Sequence, residues 1–337
     1  MQVLNTEEYI MANNVILEFE KPVSELEAKV NELINLSNTN QIDVDDAIAA
    51  LTKKLEVTKR EVYNNLTPWQ RVQLARHTNR PYTLDYIERI FTDYLPLHGD
   101  RRFADDGALV GGFAKIDGQP VIVLGTQKGR DVKDNIYRNF GCPHPEGYRK
   151  ALRLMELAEN ANIPIISFID TSGAYPGVAS EERHVGEAIA VNLREMFKFK
   201  VPILAVVLGE GGSGGALGIG VGNKILILEH AYYSVITPEG CAAILWKDRA
   251  FSPKAAESLR LTSSELKKSE IVDGIVPEPI GGAHSDYDAA AAFLKKALLK
   301  NLKELKSKTG EQLKEQRYKK YRAIGKFLEG KEETSTE

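Results

Sequence analysis

Apolar residues recur along the first third of the chain with a helical period. Val23, Leu26, Val30, Leu33 and Ile34 fall three and four apart just after Pro22, which predicts an amphipathic helix. A polar break, LSNTNQID, precedes a second periodic segment from Ala47 to Tyr63, with Ile48, Leu51 and Leu55 on one face. Thr67-Pro68-Trp69 reads as an N-cap followed by proline at the first helical position, opening a third helix towards His77. RPYTLDYIERIF adds a short fourth. These helices gather no catalytic residue types and are expected to pack against a larger body or a partner subunit.

Near Ala108 the pattern changes to short apolar runs. Ala108–Lys115 and Pro120–Leu124 are joined by Asp117-Gly118, a hairpin signal. An amphipathic helix, Tyr148 to Ala161, leads to a strand-like run, Ile163–Ile169, that ends in Asp170-Thr171-Ser172-Gly173. Glu181 to Phe197 is periodic as one helix. Val201–Leu208 is a second buried run, Lys224–Leu228 a third and Tyr232–Ile236 a fourth, stopped by Thr237-Pro238-Glu239-Gly240. Alternating strands and helices point to an α/β domain with a largely parallel sheet. Short links such as Gly215 to Asn223 favour a spiral of strand–strand–helix units over a doubly wound sheet. Tyr287 to Leu302 is an alanine- and leucine-rich helix. A basic helical tail follows, with Lys314, Arg317, Lys319, Lys320 and Arg322 expected on a solvated face, and EGKEETSTE is expected to be disordered. The domain division expected is a helical region over 1–95, a main domain over 96–300 and a basic helix with tail over 301–337.

The stretch VVLGEGGSGGALGIG, Val206 to Gly220, fits three patterns. Gly209, Gly211 and Gly214 spell a dinucleotide-binding G-x-G-x-x-G, with Glu229 at the right distance. That motif needs a full helix next, and GALGIGVG is about two turns long at ~3.6 residues per turn. Its interior glycines each cost about 1 kcal/mol relative to alanine. A Walker loop is ruled out because Gly214 is followed by Gly215-Ala216 and not by Lys-Ser or Lys-Thr. Gly211-Gly212-Ser213-Gly214-Gly215 also satisfies the G-x-S-x-G nucleophile elbow, and Asp273 and His284 follow Ser213 in triad order. The third pattern is a backbone cradle with no reactive side chain. Here the chain repeats the device, because Asp170–Gly177 is likewise a buried strand, a glycine turn and a helix start. Adjacent parallel strands would set the two turns side by side, with N–H groups converging as an oxyanion hole.

Composition narrows the setting. In 337 residues, 44 basic and 47 acidic side chains give a net charge of −3, which argues against a general nucleic-acid binder. The two cysteines, Cys142 and Cys241, have no metal-ligand spacing and are expected to be buried thiols of a reducing compartment. No apolar run reaches the ~20 residues of a membrane span. MQVLNTEEYIMANN lacks the basic flank and apolar core of a signal peptide, and an intracellular protein is expected.

Several long motifs occur in order: FIDTSGAYPG, SEERHVGEAIA, GEGGSGGALGIGVG and YYSVITPEGCAAILWKD. With RPYTLDYI, GDRRFADD, QKGRD, NFGCPHPEGYRKALRLMELAE and IVPEPIGGAH, they make the chain from Val23 to Lys326 resemble the α subunit of the bacterial- and plastid-type acetyl-CoA carboxylase carboxyltransferase. Ser172 departs from that pattern, where relatives often carry proline. The resemblance implies a crotonase-like spiral and transfer of a carboxyl group from carboxybiotin on a biotin carboxyl carrier protein to acetyl-CoA, giving malonyl-CoA for fatty acid synthesis. It implies a β subunit that completes the active site in an α2β2 assembly, biotin carboxylase as a further component, and a bacterial cytoplasm or plastid stroma. The family's zinc ribbon sits on β, so no metal is expected on this chain.

Carried over to this sequence, the N–H groups of Gly215, Ala216, Gly173 and Ala174 would hold the ureido oxygen of biotin. Gly214 and Tyr175 flank those turns. Arg183 would face the carboxyl group in transit, its plainer role being an ion pair with Glu182 or Glu187. Lys128, Arg130 and Lys133 form a basic loop that would meet coenzyme A phosphates or the carrier protein, or else be solvated. Two other readings fit the sequence. A stand-alone acyl-CoA hydratase or isomerase would need glutamates such as Glu210 and Glu181, and a non-catalytic scaffold would bind a partner through the N-terminal helices.

Overall fold

The computed structural model describes residues 15–40 and 44–325. The reading of the N-terminal residues 1–14, the end of the polar break at 41–43 and the expected disordered tail beyond Leu328 lie outside the described residues.

The N-terminal helices form where the periodicity places them: α1 (Lys21–Asn40), α2 (Asp45–Asn64), α3 (Pro68–Ala75) and α4 (Thr83–Ile90). α1 runs through the first half of the polar break. Thr67 caps α3 by accepting from the Gln70 N–H, while the Gln70 side chain accepts from the Thr67 N–H. α1 and α2 bury little, mainly Val23, Val30 and Tyr63, whereas Tyr86, Ile87 and Ile90 of α4 enter the main core.

A strand the pattern did not announce, β1 (Thr92–Pro96), pairs with the predicted hairpin of β2 (Leu109–Ile116) and β3 (Gln119–Thr126). There follow α5 (Val132–Tyr137), α6 (Pro145–Ala161), β4 (Ile165–Thr171), α7 (Val178–Glu182), α8 (Val185–Met196), β5 (Ile203–Gly212), α9 (Ser213–Leu217), β6 (Lys224–Leu228) and β7 (Tyr232–Ser234). The chain closes with α10 (Pro238–Trp246), α11 (Ser252–Leu259), α12 (Ser263–Lys268), β8 (Gly274–Val276), α13 (Tyr287–Lys306) and α14 (Gly310–Ala323). The sheet order is β1-β2-β3-β4-β5-β6-β8, antiparallel over the first three strands and parallel from β3 onward.

β4 and β5 are buried along their whole length, as largely apolar runs require when both faces of the sheet are covered. β5 changes partner part-way: Leu204–Val207 pair with β6, and Glu210–Gly212 pair with β7. One strand thus serves two successive layers, as the spiral reading expects. Two expectations are corrected. Glu181–Phe197 is not one helix, because His184 takes a left-handed φ of 62° and separates α7 from α8. The basic tail is not wholly solvated either. Arg317 of α14 is fully buried and donates to the Met196, Phe199 and Val201 carbonyls and to Asn223 Oδ1.

Candidate active site

From Ile165 opposite Ile203 to Ile169 opposite Val207, β4 and β5 keep a regular parallel register; beyond it the register shifts and Thr171 faces Gly211. From there the two chains run backbone against backbone. A Cβ on Gly212 would lie 2.1 Å from the Ser172 carbonyl oxygen, and one on Gly215 would lie 2.4 Å from the Gly173 carbonyl carbon and 2.5 Å from the Ala174 nitrogen. Glycine alone allows that approach. Gly173, Ala174 and Gly215 are therefore in direct contact, and Ala216, next in the chain, is fully buried.

The two sides differ in detail. Gly215 occupies the first turn of α9, where N–H groups lack intrahelical partners. The Gly173 N–H is already engaged, donating to the Thr171 hydroxyl at 3.1 Å. Gly214 is half-buried, with Ile189 3.7 Å from the position a Cβ would take. Tyr175 donates its N–H to the Pro143 carbonyl at 3.0 Å and lays its ring 4.3 Å from that of His144. Cys142 is only half-buried, not enclosed as expected, and its Sγ lies 3.3 Å from Ser172 Oγ. Cys241 is buried.

The candidate cations sit in places the sequence did not disclose. Arg183 pairs neither with Glu182 nor with Glu187. Its guanidinium forks onto Glu146 of α6 at 2.8 and 3.1 Å and lies 4.6 Å above the Phe103 ring. Lys128 is not a solvated loop residue: its Nζ donates to Asp170 Oδ1 and to Glu210 Oε2, both at 2.7 Å. Arg130 is clamped to the N-terminal helices, donating to the Thr78 and Arg80 carbonyls at 2.9 Å and pairing with Asp85. Lys133 is exposed on α5.

The rival readings meet specific obstacles. Burial alone would raise the Glu210 carboxyl, yet Lys128 and Arg76 beside it bring its pKa down to about 2. Both its oxygens are occupied, Oε1 by Arg76 Nε and the Tyr232 hydroxyl at 2.7 Å each. Such a carboxylate stays ionised and cannot serve as the proton donor or acceptor of a hydratase. Glu181 is exposed on α7. Ser213 does sit at an elbow, with φ of 53° between β5 and α9, but its triad partners are committed elsewhere. Asp273 accepts from the Ile225 N–H at 2.6 Å and pairs with Lys320. His284 stacks on His77 at 4.0 Å, and burial together with that neighbour pushes its pKa down to about 3. The dinucleotide reading fails on length, since α9 has five residues.

Fold and geometry together define a crotonase-like domain in which two glycine turns meet backbone to backbone at the carboxyl ends of two adjacent strands. A sequence profile described as "Acetyl co-enzyme A carboxylase carboxyltransferase-like" matches residues 16–325. The acetyl-coenzyme A carboxylase carboxyl transferase subunit alpha of Geobacter metallireducens is 55% identical over 319 residues, 95% of this chain and 100% of the relative. That of Syntrophotalea carbinolica is 56% identical over 309 residues, 91% of this chain and 97% of the relative. Among solved structures, a transcarboxylase 12S with methylmalonyl-coenzyme A and methylmalonic acid bound has a similar fold, with a TM-score of 0.56 at 20% identity over 70% of this chain and 45% of that one. The chain belongs to the family of acetyl-CoA carboxylase carboxyltransferase α subunits.

Proposed function

We propose that this chain supplies half of an active site that moves a carboxyl group from carboxybiotin, carried on a biotin carboxyl carrier protein, to the methyl carbon of acetyl-CoA. The observation that carries the reading is the contact of the two turns: a Cβ on Gly215 would enter the backbone of Gly173 and Ala174 at 2.4–2.5 Å. Backbones that meet this closely bring N–H groups of both turns within reach of one small acceptor, such as the ureido oxygen of biotin. The substrate supplies the carboxyl group and, once that group has left, a basic N1′ nitrogen able to take the proton from the acetyl methyl.

The chain's part is electrostatic. N–H groups of Ala174, Gly215 and Ala216 hold the ureido oxygen and stabilise the negative charge that spreads from N1′ as the carboxyl group departs; losing one such donor typically costs ~10²–10³ in rate. Gly173 contributes less, because the Thr171 hydroxyl competes for its N–H. With the proton returning to N1′, no protein base is required. Tyr175 and Gly214 wall the cradle. Arg183 holds Glu146 through Nε and Nη2, so its resting role is to brace the end of α7 against α6.

A β subunit is the proposed partner, in an α2β2 assembly with biotin carboxylase acting upstream. Phe140 and Val178 stand exposed in segments that adjoin the 170–177 turn, and Val132 and Ile136 are exposed on α5, apolar side chains that suit coverage by another chain. No helix among the described residues is long and apolar enough to cross a membrane; the compartment we propose, from the family resemblance, is a bacterial cytoplasm or a plastid stroma. Decarboxylation of malonyl-CoA in the presence of biotin tests the reading. Activity is expected from the chain mixed with its β subunit and none from the chain alone. Activity of the isolated chain would sink the half-site scheme.

A further inference from the structure

One buried charge cluster lies outside the chemistry just described. Lys128 follows β3, and Asp170 and Glu210 lie near the ends of β4 and β5, so all three meet at the carboxyl ends of three adjacent parallel strands. The ammonium is 2.7 Å from a carboxylate oxygen of each strand. Asp170 Oδ1 also accepts the Glu210 N–H at 2.9 Å, and Arg76 anchors the other Glu210 oxygen to α3. The seam has no slack. A Cβ on Gly209 would lie 2.7 Å from Asp170 Oδ1 and 2.9 Å from the Ala75 carbonyl oxygen, and one on Gly141 would lie 2.6 Å from the Lys128 side chain. The cradle residues Gly173 and Gly215 follow Asp170 and Glu210 within a few positions on each strand.

We infer that Lys128 is a positioning residue for the carboxyl transfer. Its single ammonium fixes the gap between the two turns, so that N–H groups from both strands converge on one oxygen. The inference rests on the cradle reading and assigns Lys128 no contact with substrate. Without the ammonium, Glu210 keeps Arg76 and the Tyr232 hydroxyl on Oε1, but its Oε2 and the Asp170 carboxylate face each other across the strand seam with no cation between them, and that buried like-charge pair favours strand ends held further apart. A displacement of about 1 Å at such a site is enough to cost roughly a hundredfold in rate.

The test uses the full chain assembled with its β subunit and reads kcat and KM for malonyl-CoA decarboxylation onto biotin. Lys128→Met is expected to lower kcat about a hundredfold with KM within about threefold of wild type. Lys128→Met combined with Asp170→Asn removes the like-charge pair and is expected to recover kcat at least tenfold over Lys128→Met. If Lys128→Met does not assemble, the double variant is compared directly with Asp170→Asn alone, and a lower kcat in the double variant is expected. Wild-type kcat in an assembled Lys128→Met complex overturns the inference, as does a loss confined to KM or a double variant no better than the single. Gly215→Ala run in parallel separates the two ideas. Full activity there removes the cradle itself, whereas an inactive Gly215→Ala beside a fully active Lys128→Met removes only the role of Lys128.

Discussion

After β4, the side of Gly173 on which a Cβ would sit is open: a Cβ there would meet nothing within 4 Å, and glycine is favoured only by a φ of +154°. After β5 the reverse holds. Gly215 has an ordinary negative φ, and glycine is demanded because any side chain would strike the opposite turn at 2.4 Å. One glycine answers a dihedral requirement, the other a contact. A motif that spells both turns with the same letter hides this difference, and substitutions should separate them.

The largest effect is expected at the contact. Gly215→Ala should drive the turns apart and lower kcat of the α–β complex by about a thousandfold, with the complex still eluting as an assembly in size-exclusion chromatography. Acid should act next, through the charged floor beneath the β5 turn. Glu210 has a folded pKa of about 2 against an ordinary 4.5, so its stabilising share is fully present above pH 4.5 and lost as the pH falls towards 2. That share is on the order of 3 kcal/mol. His284, held down at about 3 from 6.5, loses its share over an earlier window, from pH 6.5 towards 3. Thermal melts across pH should therefore show His284→Asn flattening the slope above pH 4.5 and Glu210→Gln flattening it only below.

Gly173→Ala should be milder. It clashes with nothing and costs about 1–3 kcal/mol of backbone strain, for which a roughly tenfold fall in kcat is expected. A loss equal to that of Gly215→Ala would erase the distinction between the two turns. The smallest effect belongs to Ser213→Ala. Its hydroxyl is exposed and has no triad partners, so kcat should stay within about twofold.

Much of this was legible in the chain. Asp117-Gly118 marked the hairpin, Thr67-Pro68 marked the start of α3, and two buried runs ending in glycine turns predicted adjacent strands with their turns side by side. β1 escaped notice because Thr92–Pro96 is mostly exposed and carries no alternation, and β8 is three residues long. The break at His184 was invisible because apolar spacing continues across it, while a left-handed residue is a backbone event that periodicity does not record.

The charges were hardest to read. Lys128 in QKGRD and Arg317 in the basic tail look solvated on a line of letters, yet one joins two strand ends and the other caps three carbonyls. A signal for the first was present: Asp170 and Glu210 each stand at the end of a largely apolar strand run, and two carboxylates delivered to adjacent strand ends call for a cation between them. Nothing comparable announced Arg317, whose partners are three backbone carbonyls and the Asn223 side chain, or Glu146 as the partner of Arg183.

The most direct measurement is a crystal structure of the α–β complex with biotin bound. The ureido oxygen should lie about 2.7–3.2 Å from the backbone nitrogens of Ala174 and of Gly215 or Ala216, with Lys128 still bridging Asp170 and Glu210. A ureido oxygen held instead by a side chain, or by only one of the two turns, would contradict the cradle.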